Sequence, residues 1–382
     1  MGKVFITYNS IISSLGFDSE TVVEAIKNEV SGISRIDDSK LFHKPFYGSV
    51  VNRDTLVKKF KKINSYRSDY TDLEKMMILS LNNVIQASDL NIDSSVGLII
   101  STTKGNINAL EQSSSFPKSY AYLSRLSNVL KDYFSFQNNP IIVSNACVSG
   151  VQAIAIAKKY INEGVFKNVF IVSGDIVSRF VLSGFHSFQA ISESPCKPYD
   201  KDRTGINLGE AIASVLVTSD ENHINPEAVE IIGEATCNDA NHISGPSRTG
   251  EGLFRSVNTA LAEAAIKPSD IDYISAHGTA TIFNDEMEST AFSRLGLTHV
   301  PLNSLKGFFG HTLGSSGLIE TIVGMHSLKH NTLFASKGFT TLGVSKPLNI
   351  IKRTEKKNLN IFLKTASGFG GTNTALLLKK VS

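Results

Sequence analysis

Three residues whose side chains suit nucleophilic chemistry stand in similar company along the chain. Cys147 sits in Asn145-Ala146-Cys147-Val148-Ser149-Gly150, His277 in Ala276-His277-Gly278-Thr279-Ala280-Thr281, and His311 in Gly310-His311-Thr312-Leu313-Gly314. A thiol becomes a nucleophile when its anion is stabilised, and an imidazole beside it moves protons or donates hydrogen bonds near neutral pH. A glycine-rich turn, Ser367-Gly368-Phe369-Gly370-Gly371-Thr372, lets backbone N–H groups approach a reacting carbonyl, as an oxyanion hole requires. The alternative for that turn is a tight hairpin; lacking a following Lys-Ser, Lys-Thr or helix, it does not suit a phosphate. A zinc site built from Cys147, His277 and His311 finds no support in the spacing, since no pair of them shows ligand spacing along the chain.

Such residues need elements to bring them together. Ile141 to Val143 is a short apolar run of buried-strand type, and beyond Cys147 the residues Val148, Val151, Ala155 and Ile156 recur at helical spacing. Cys147 is therefore expected where a strand turns into a helix, with the helix start holding its sulfur as a thiolate and Gly150 and Ala153 leaving room beside it. A lone cysteine is more simply a buried apolar residue. Position and company set this one apart. Ile271 to Ala276 reads as a strand running into His277, and Leu302 to Leu305 as an apolar segment leading to His311 and a helix that reaches about Leu328. The order apolar segment, reactive residue, glycine three on, apolar helix thus occurs at Cys147 with Gly150 and again at His311 with Gly314, a sign of internal duplication. Ligands in open α/β folds gather at the carboxyl ends of strands, so these three strand ends are expected to converge on one pocket. His43, His223, His299, His326 and His330 have no distinguishing neighbours.

Further strands are expected at Val4–Thr7, Val96–Ser101, Val169–Ser173, Ala213–Thr218, Ala228–Ala235, Leu359–Lys364 and Ala375–Leu378. Helices are expected at Ser19–Val30, capped by Asp18 or Ser19, and at Glu74–Ser88, Tyr120–Tyr133 and Gly252–Ala265. The alternation argues for an α/β chain with parallel, helix-covered sheets. Ser39 to Tyr70 carries no clear pattern. A polar stretch, Glu221 to Pro226, separates residues 1–225, with the cysteine, from 226–382, with the two histidines. Composition is ordinary for a globular chain of 382 residues, at 41% hydrophobic and 19% charged. The net charge of +3 is small and its basic residues are dispersed, which argues against nucleic acid; Lys58-Lys59-Phe60-Lys61-Lys62 reads as a solvated face or a lure for an acidic protein. Three cysteines, Cys147, Cys196 and Cys237, make no disulfide framework, so a reducing, cytoplasmic compartment is expected. The longest uncharged span, Phe134 to Ala157, is broken by Pro140 and polar residues, so no membrane span is expected. The first residues show neither signal-peptide regions nor a myristoylation signal.

Taken together, the Cys147 segment, His277-Gly278-Thr279-Ala280-Thr281 with Asn284-Asp285 and Glu288, Lys306 with Gly310-His311, and Gly368-Phe369-Gly370-Gly371-Thr372-Asn373 resemble the β-ketoacyl-ACP synthases. The match is to the elongating type I and II enzymes, which use Cys-His-His, rather than the initiating type III enzymes, which use Cys-His-Asn. It extends to Pro198-Tyr199-Asp200 through Gly209-Glu210 and to Asp239-Ala240-Asn241-His242. The resemblance implies a thiolase fold, with duplicated α/β halves in αβαβα layers, in a homodimer with sites near its interface. It implies that Cys147 takes an acyl chain from the phosphopantetheine thioester of acyl carrier protein, and that His277 and His311 promote decarboxylation of malonyl-ACP. The enolate then attacks the acyl-cysteine. No cofactor bound by the protein itself is implied. By the same resemblance Lys306 and Glu288 form a buried pair that orders the site, the N–H groups of Cys147 and Phe369 form the oxyanion hole, Thr279 and Thr281 hold the pantetheine arm, and Phe369 with Gly370 borders the acyl pocket. The chain departs from the family pattern at Thr7-Tyr8-Asn9 where glycines are usual, at Ile282 for a proline, at Ser367 for an aromatic, and in a region before Cys147, with Tyr120 to Phe136, that is short for the part that shapes the dimer and the acyl tunnel. Acyl length and pathway, fatty-acid or polyketide and polyene, are the inferences these departures touch. A degradative thiolase would carry a second reactive cysteine near the C-terminus, where the glycine turn has none. A non-catalytic, chain-length-determining subunit of a heterodimer would lack the nucleophile.

Overall fold

Two parities of apolar residue in most strands, one for each face, require a sheet covered on both sides. The computed structural model, which describes residues 2–64, 69–239, 241–243 and 245–381, has such a sheet of eleven strands. They are β1 (Phe5–Ser13), β2 (Val96–Ser101), β3 (Ile141–Val143), β4 (Asn168–Asp175), β5 (Ala211–Thr218), β6 (Val229–Asn238), β7 (Tyr273–Ser275), β8 (Pro301–Asn303), β9 (Asn349–Ile350), β10 (Ile361–Ser367) and β11 (Thr372–Lys380). Across the sheet they lie in the order β9-β8-β7-β10-β11-β6-β1-β5-β4-β2-β3. The first five therefore run β1-β5-β4-β2-β3, and the later ones, the edge strand β9 aside, run β6-β11-β10-β7-β8. Each set reads first, fifth, fourth, second, third. Pairing senses repeat as well: β5 is antiparallel to β1 and β4, while β4, β2 and β3 are parallel. Likewise β11 is antiparallel to β6 and β10, while β10, β7 and β8 are parallel. This is the duplication that the cysteine and histidine segments suggested. The expected parallel, helix-covered pairing is found among β4, β2 and β3 and among β10, β7 and β8, while β10 and β11, joined by the short glycine turn that permits only antiparallel pairing, and β4 and β5 depart from it.

Ten helices cover and divide the sheet: α1 (Ser19–Lys27), α2 (Arg53–Ile63), α3 (Asp72–Ser88), α4 (Leu123–Phe134), α5 (Ser149–Asn162), α6 (Arg179–Ser187), α7 (Glu251–Ala264), α8 (Ile282–Arg294), α9 (Lys306–Phe309) and α10 (Ser316–His330), counted among the described residues. Strand parity sorts them into layers. In β4, Val169 and Ile171 pack with α5 and α10, whereas Phe170 and Val172 pack with α3. In β10, Phe362 and Ala366 face α5 and α10, whereas Ile361 and Leu363 face α7 and α8. The result is five layers, α–β–α–β–α, with α5 and α10 in the middle. From Ser316 to Leu328 every residue of α10 is buried, which explains why this segment is apolar on all sides rather than amphipathic.

Caps account for several element starts. Asp18 accepts the Thr21 N–H at 2.8 Å, and Thr71 with Glu74 forms a capping box at α3. The unassigned segment 39–70 contains α2, whose Leu56 and Phe60 are buried while Lys58, Lys59, Lys61 and Lys62 face solvent. Helices α6 and α8 and the short α9 have no counterpart in the sequence reading. The reason for α8 is physical: its inward residues include Asn284, Asp285 and Glu288, so hydrophobicity does not mark its buried face. No helix among the described residues is long and apolar enough to cross a membrane.

Candidate active site

The turn from β3 into α5 is held by short polar bonds. Ser149 Oγ accepts the Asn145 N–H at 2.8 Å and donates to the Ala146 carbonyl at 2.6 Å. Ala146 has φ +43°, a left-handed conformation that costs a residue with a Cβ about 1–2 kcal/mol. Similar values occur at Ala280 (φ 63°) and Leu313 (φ 55°), so each reactive residue has a strained neighbour within three positions. The room expected beside the sulfur at Gly150 is filled by backbone, since a Cβ there would lie 2.8 Å from the Gly314 carbonyl oxygen. That close approach brings the Cys147 turn against the His311 segment.

Cys147, His277 and His311 do converge. Cys147 Sγ lies 3.0 Å from His311 Nε2, the two imidazole rings are 5.3 Å apart and nearly perpendicular, and donor atoms of all three residues lie within 4.8 Å of one another. This is the convergence expected of three strand ends, with β3, β7 and β8 bringing the residues together through the sheet. The Leu313 N–H points to His311 Nδ1 at 3.3 Å, and Ser316 Oγ lies 3.0 Å from the same atom. A ring nitrogen that accepts an N–H carries no proton, so the network assigns the hydrogen to Nε2, facing the sulfur. On His277, Lys306 Nζ lies 3.4 Å from Nδ1 and 2.5 Å from the residue's own carbonyl oxygen. An ammonium only donates, which again leaves the proton on Nε2.

The expected pairing of Lys306 with Glu288 is corrected. Lys306 Nζ bonds Glu320 Oε1 at 2.8 Å, and Glu320 Oε2 accepts Lys364 Nζ at 2.6 Å; all three side chains are buried. Glu288 instead binds backbone, accepting the N–H groups of His277 (2.9 Å) and Gly278 (2.7 Å), the Tyr199 hydroxyl (2.8 Å) and the Asn284 amide (2.9 Å). It fixes the loop that carries His277 rather than neutralising a lysine. Glu320 and Lys364 escaped the sequence reading, although each is a lone charge inside an apolar element, the pattern that marks a buried charge in need of a partner.

Burial also corrects the expectation of a standing thiolate. Enclosed as it is, the Cys147 thiol is pushed up to about 11, against the opposing pull of Lys104 and Lys306 and of the Phe369 N–H. The resting sulfur is a thiol. Burial, then the nearby Lys306, holds both His277 and His311 well below the ordinary histidine range, so both rings are neutral at pH 7.

A cavity of about 390 Å³ reaches this cluster, lined among others by Thr279, Thr281, Phe369 and Gly370. The Thr279 and Thr281 hydroxyls are 2.8 Å apart, and Thr281 caps α8. The Gly370 N–H is already taken by the Ile243 carbonyl at 2.9 Å, so Gly370 shapes the cavity without a free donor there. Phe369 stacks on Phe185 and meets Phe188 edge-on, each at 5.5 Å. At Gly368 an added Cβ would lie 3.3 Å from Cys147 N, which is why the turn can lie so near the cysteine backbone. Ser367 bonds Asn373 Oδ1 at 2.7 Å. In the segment Asp239 to His242, Ala240 lies outside the described residues, and Asp239 Oδ2 accepts the Gly252 N–H.

Family models described as "Beta-ketoacyl synthase, N-terminal domain" and "Beta-ketoacyl synthase, C-terminal domain" match residues 1–223 and 228–340. The chain is 32% identical over 255 residues to the 3-oxoacyl-[acyl-carrier-protein] synthase 2 of Rhizobium meliloti, covering 62% of this chain and 60% of that protein. It is 30% identical over 270 residues to a putative polyketide beta-ketoacyl synthase 1 of Streptomyces halstedii, covering 67% and 64%. The matched stretch thus spans under two thirds of these relatives. Among solved structures, the ketosynthase ApeO with its chain length factor ApeC from Xenorhabdus doucetiae superposes with a TM-score of 0.87 at 23% identity, covering 100% of this chain and 98% of that one. The ishigamide ketosynthase/chain length factor does so with 0.89 at 22%, covering 100% of both chains. At these identities the likeness is one of fold.

Proposed function

Given that the chain belongs to the β-ketoacyl synthase family, we propose that it catalyses decarboxylative Claisen condensation of an acyl group carried on Cys147 with malonyl-ACP, in fatty-acid or polyketide and polyene biosynthesis. The observation that carries this reading is the 3.0 Å approach of Cys147 Sγ to His311 Nε2, with His277 beside it. In the first half-reaction Sγ attacks the thioester carbonyl of acyl-ACP, the carbon–sulfur bond to pantetheine breaks, and the thiol proton ends on the departing pantetheine sulfur. The N–H groups of Cys147 and Phe369 stabilise the tetrahedral oxyanion, and the His311 Nε2–H eases development of charge on Sγ. In the second, malonyl-ACP loses carbon dioxide and its thioester oxygen becomes an enolate, to which two neutral Nε2–H groups donate. The enolate carbon then attacks the acyl-cysteine, Sγ leaves as a thiolate that takes up a proton from solvent, and β-ketoacyl-ACP remains. Thr279 and Thr281 hold the pantetheine arm, and Phe369 with Gly370 borders the acyl group. The enzyme needs no cofactor of its own.

The partners in this reading are acyl carrier protein and a second copy of the chain. Three unpaired cysteines fit a reducing cytoplasm. A heterodimer with a chain-length-determining subunit is the alternative assembly, since both structural relatives named above were solved with such a factor. A non-catalytic role for this chain has no support from the site, where nucleophile and both imidazoles are in place. Labelled acyl-ACP is expected to label wild-type protein and leave Cys147→Ala unlabelled; equal labelling overturns the assignment. His311→Ala is expected to slow carbon dioxide release from malonyl-ACP about 100- to 1,000-fold, as loss of an oxyanion donor does, with a smaller effect on acyl transfer. Unchanged release assigns the role elsewhere.

A further inference from the structure

Lys364 has no part in the reaction as described, yet it is the least expected side chain in the centre of the molecule. In β10 it shares parity with Phe362 and Ala366, the apolar residues that face the middle helices, and its side chain is 0% exposed. A lysine at such a position needs acceptors for all its hydrogens. They are Glu320 Oε2 at 2.6 Å, the Thr365 carbonyl at 2.7 Å, the Ser275 carbonyl at 3.1 Å and the Ala276 carbonyl at 3.4 Å. Ser275 ends β7, directly across the sheet from Lys364, and Ala276 immediately precedes His277. The same Glu320 holds Lys306 through its other oxygen, and Lys306 in turn grips the carbonyl and Nδ1 of His277.

We infer that Lys364 is a positioning residue for His277: it clamps the end of β7 and, through Glu320, fixes the Lys306 ammonium that sets which ring nitrogen of His277 carries the hydrogen. Two separate paths lead from one buried ammonium to one imidazole, by backbone and by side chain. With Lys364 removed, Glu320 keeps one partner, and Lys306 is free to turn from His277 toward the unpaired carboxylate oxygen. Neither path runs through Cys147, which feels Lys306 only through space, so acyl transfer depends on the clamp far less than decarboxylation does.

The inference rests on the proposed reaction and has a readout that does not. In Lys364→Met, a near match in length, kcat for malonyl-ACP decarboxylation is expected to fall about 10- to 100-fold, the scale of a misplacement near 1 Å. KM and the rate of Cys147 acylation should stay within about twofold. Nitrogen NMR of histidine-labelled protein, with His277 assigned from His277→Asn, should show its single Nε2–H form give way to a mixture of tautomers. Should Lys364→Met not fold, Glu320→Gln, which keeps both lysines and the volume, is expected to show the same kcat loss and the same tautomer mixture. An unchanged kcat with an unchanged His277 signal, or decarboxylation and acylation falling together, overturns the inference. Wild-type protein inactive in both half-reactions would sink the proposed reaction instead, while the His277 signal would still decide the role of Lys364.

Discussion

At Cys147 burial raises the cost of the anion while the charges of Lys104 and Lys306 and the Phe369 N–H lower it, and the balance leaves a thiol. The histidines are the reverse case, neutral because burial disfavours their charged form. Their folded-state values lie below the unfolded one, so between that depressed value and pH about 6.5 the unfolded chain binds more protons than the folded chain. The stability contributed by His277 and His311 is therefore full above pH 6.5 and lost as the pH falls. Asp285, raised by burial to about 7, works the other way, its contribution being lost as pH rises through that value. A comparison isolates the ring: urea midpoints of wild type and His311→Asn, taken from pH 7.5 to pH 5, should fall more steeply for wild type. Parallel curves would mean that His311 titrates as an ordinary histidine.

Among the elements, the contact between α5 and the segment leading into α10 decides how near the sulfur comes to His311. Gly150 allows it, because no side chain separates the helix backbone from Gly314. Gly150→Ala places a methyl 2.8 Å from that carbonyl, and overpacking of this kind costs about 1–3 kcal/mol. The variant is expected to lower the urea midpoint accordingly and to slow acyl transfer, since the Cys147 turn must back away from the His311 Nε2–H. Full acyl transfer in a stable variant would show that the turn is placed by other contacts. Much of this level was legible in the sequence: β2 and the start of α5 follow from apolar patterning, and the glycine three residues after Cys147 and His311 marks the repeat. Helix α8 was not legible, because it turns Asp285 and Glu288 inward to hold the His277 loop. Hydrophobic periodicity does not record a helix that buries its polar face.

For the molecule as a whole, the middle layer joins two halves that the sheet order shows to be copies. Val151 and Ile154 of α5 share one core with Leu318 and Ile322 of α10, and with inward residues from both sets of strands. Neither half can cover its inner face without the other. Residues 1–225 and 226–382 expressed separately are expected to lack a cooperative unfolding transition, and the full chain to unfold in one step; a separately folded half would contradict the shared core. The three candidate residues Cys147, His277 and His311, and the strands that carry them, were legible in the sequence, because a cysteine or histidine at a strand end beside small residues is a local pattern. Which buried charges answer one another was decided only by the tertiary structure. Glu320 pairs with Lys306 and Lys364 because α10 crosses the inner face of β10, and no spacing along a chain reports which layers end up facing each other.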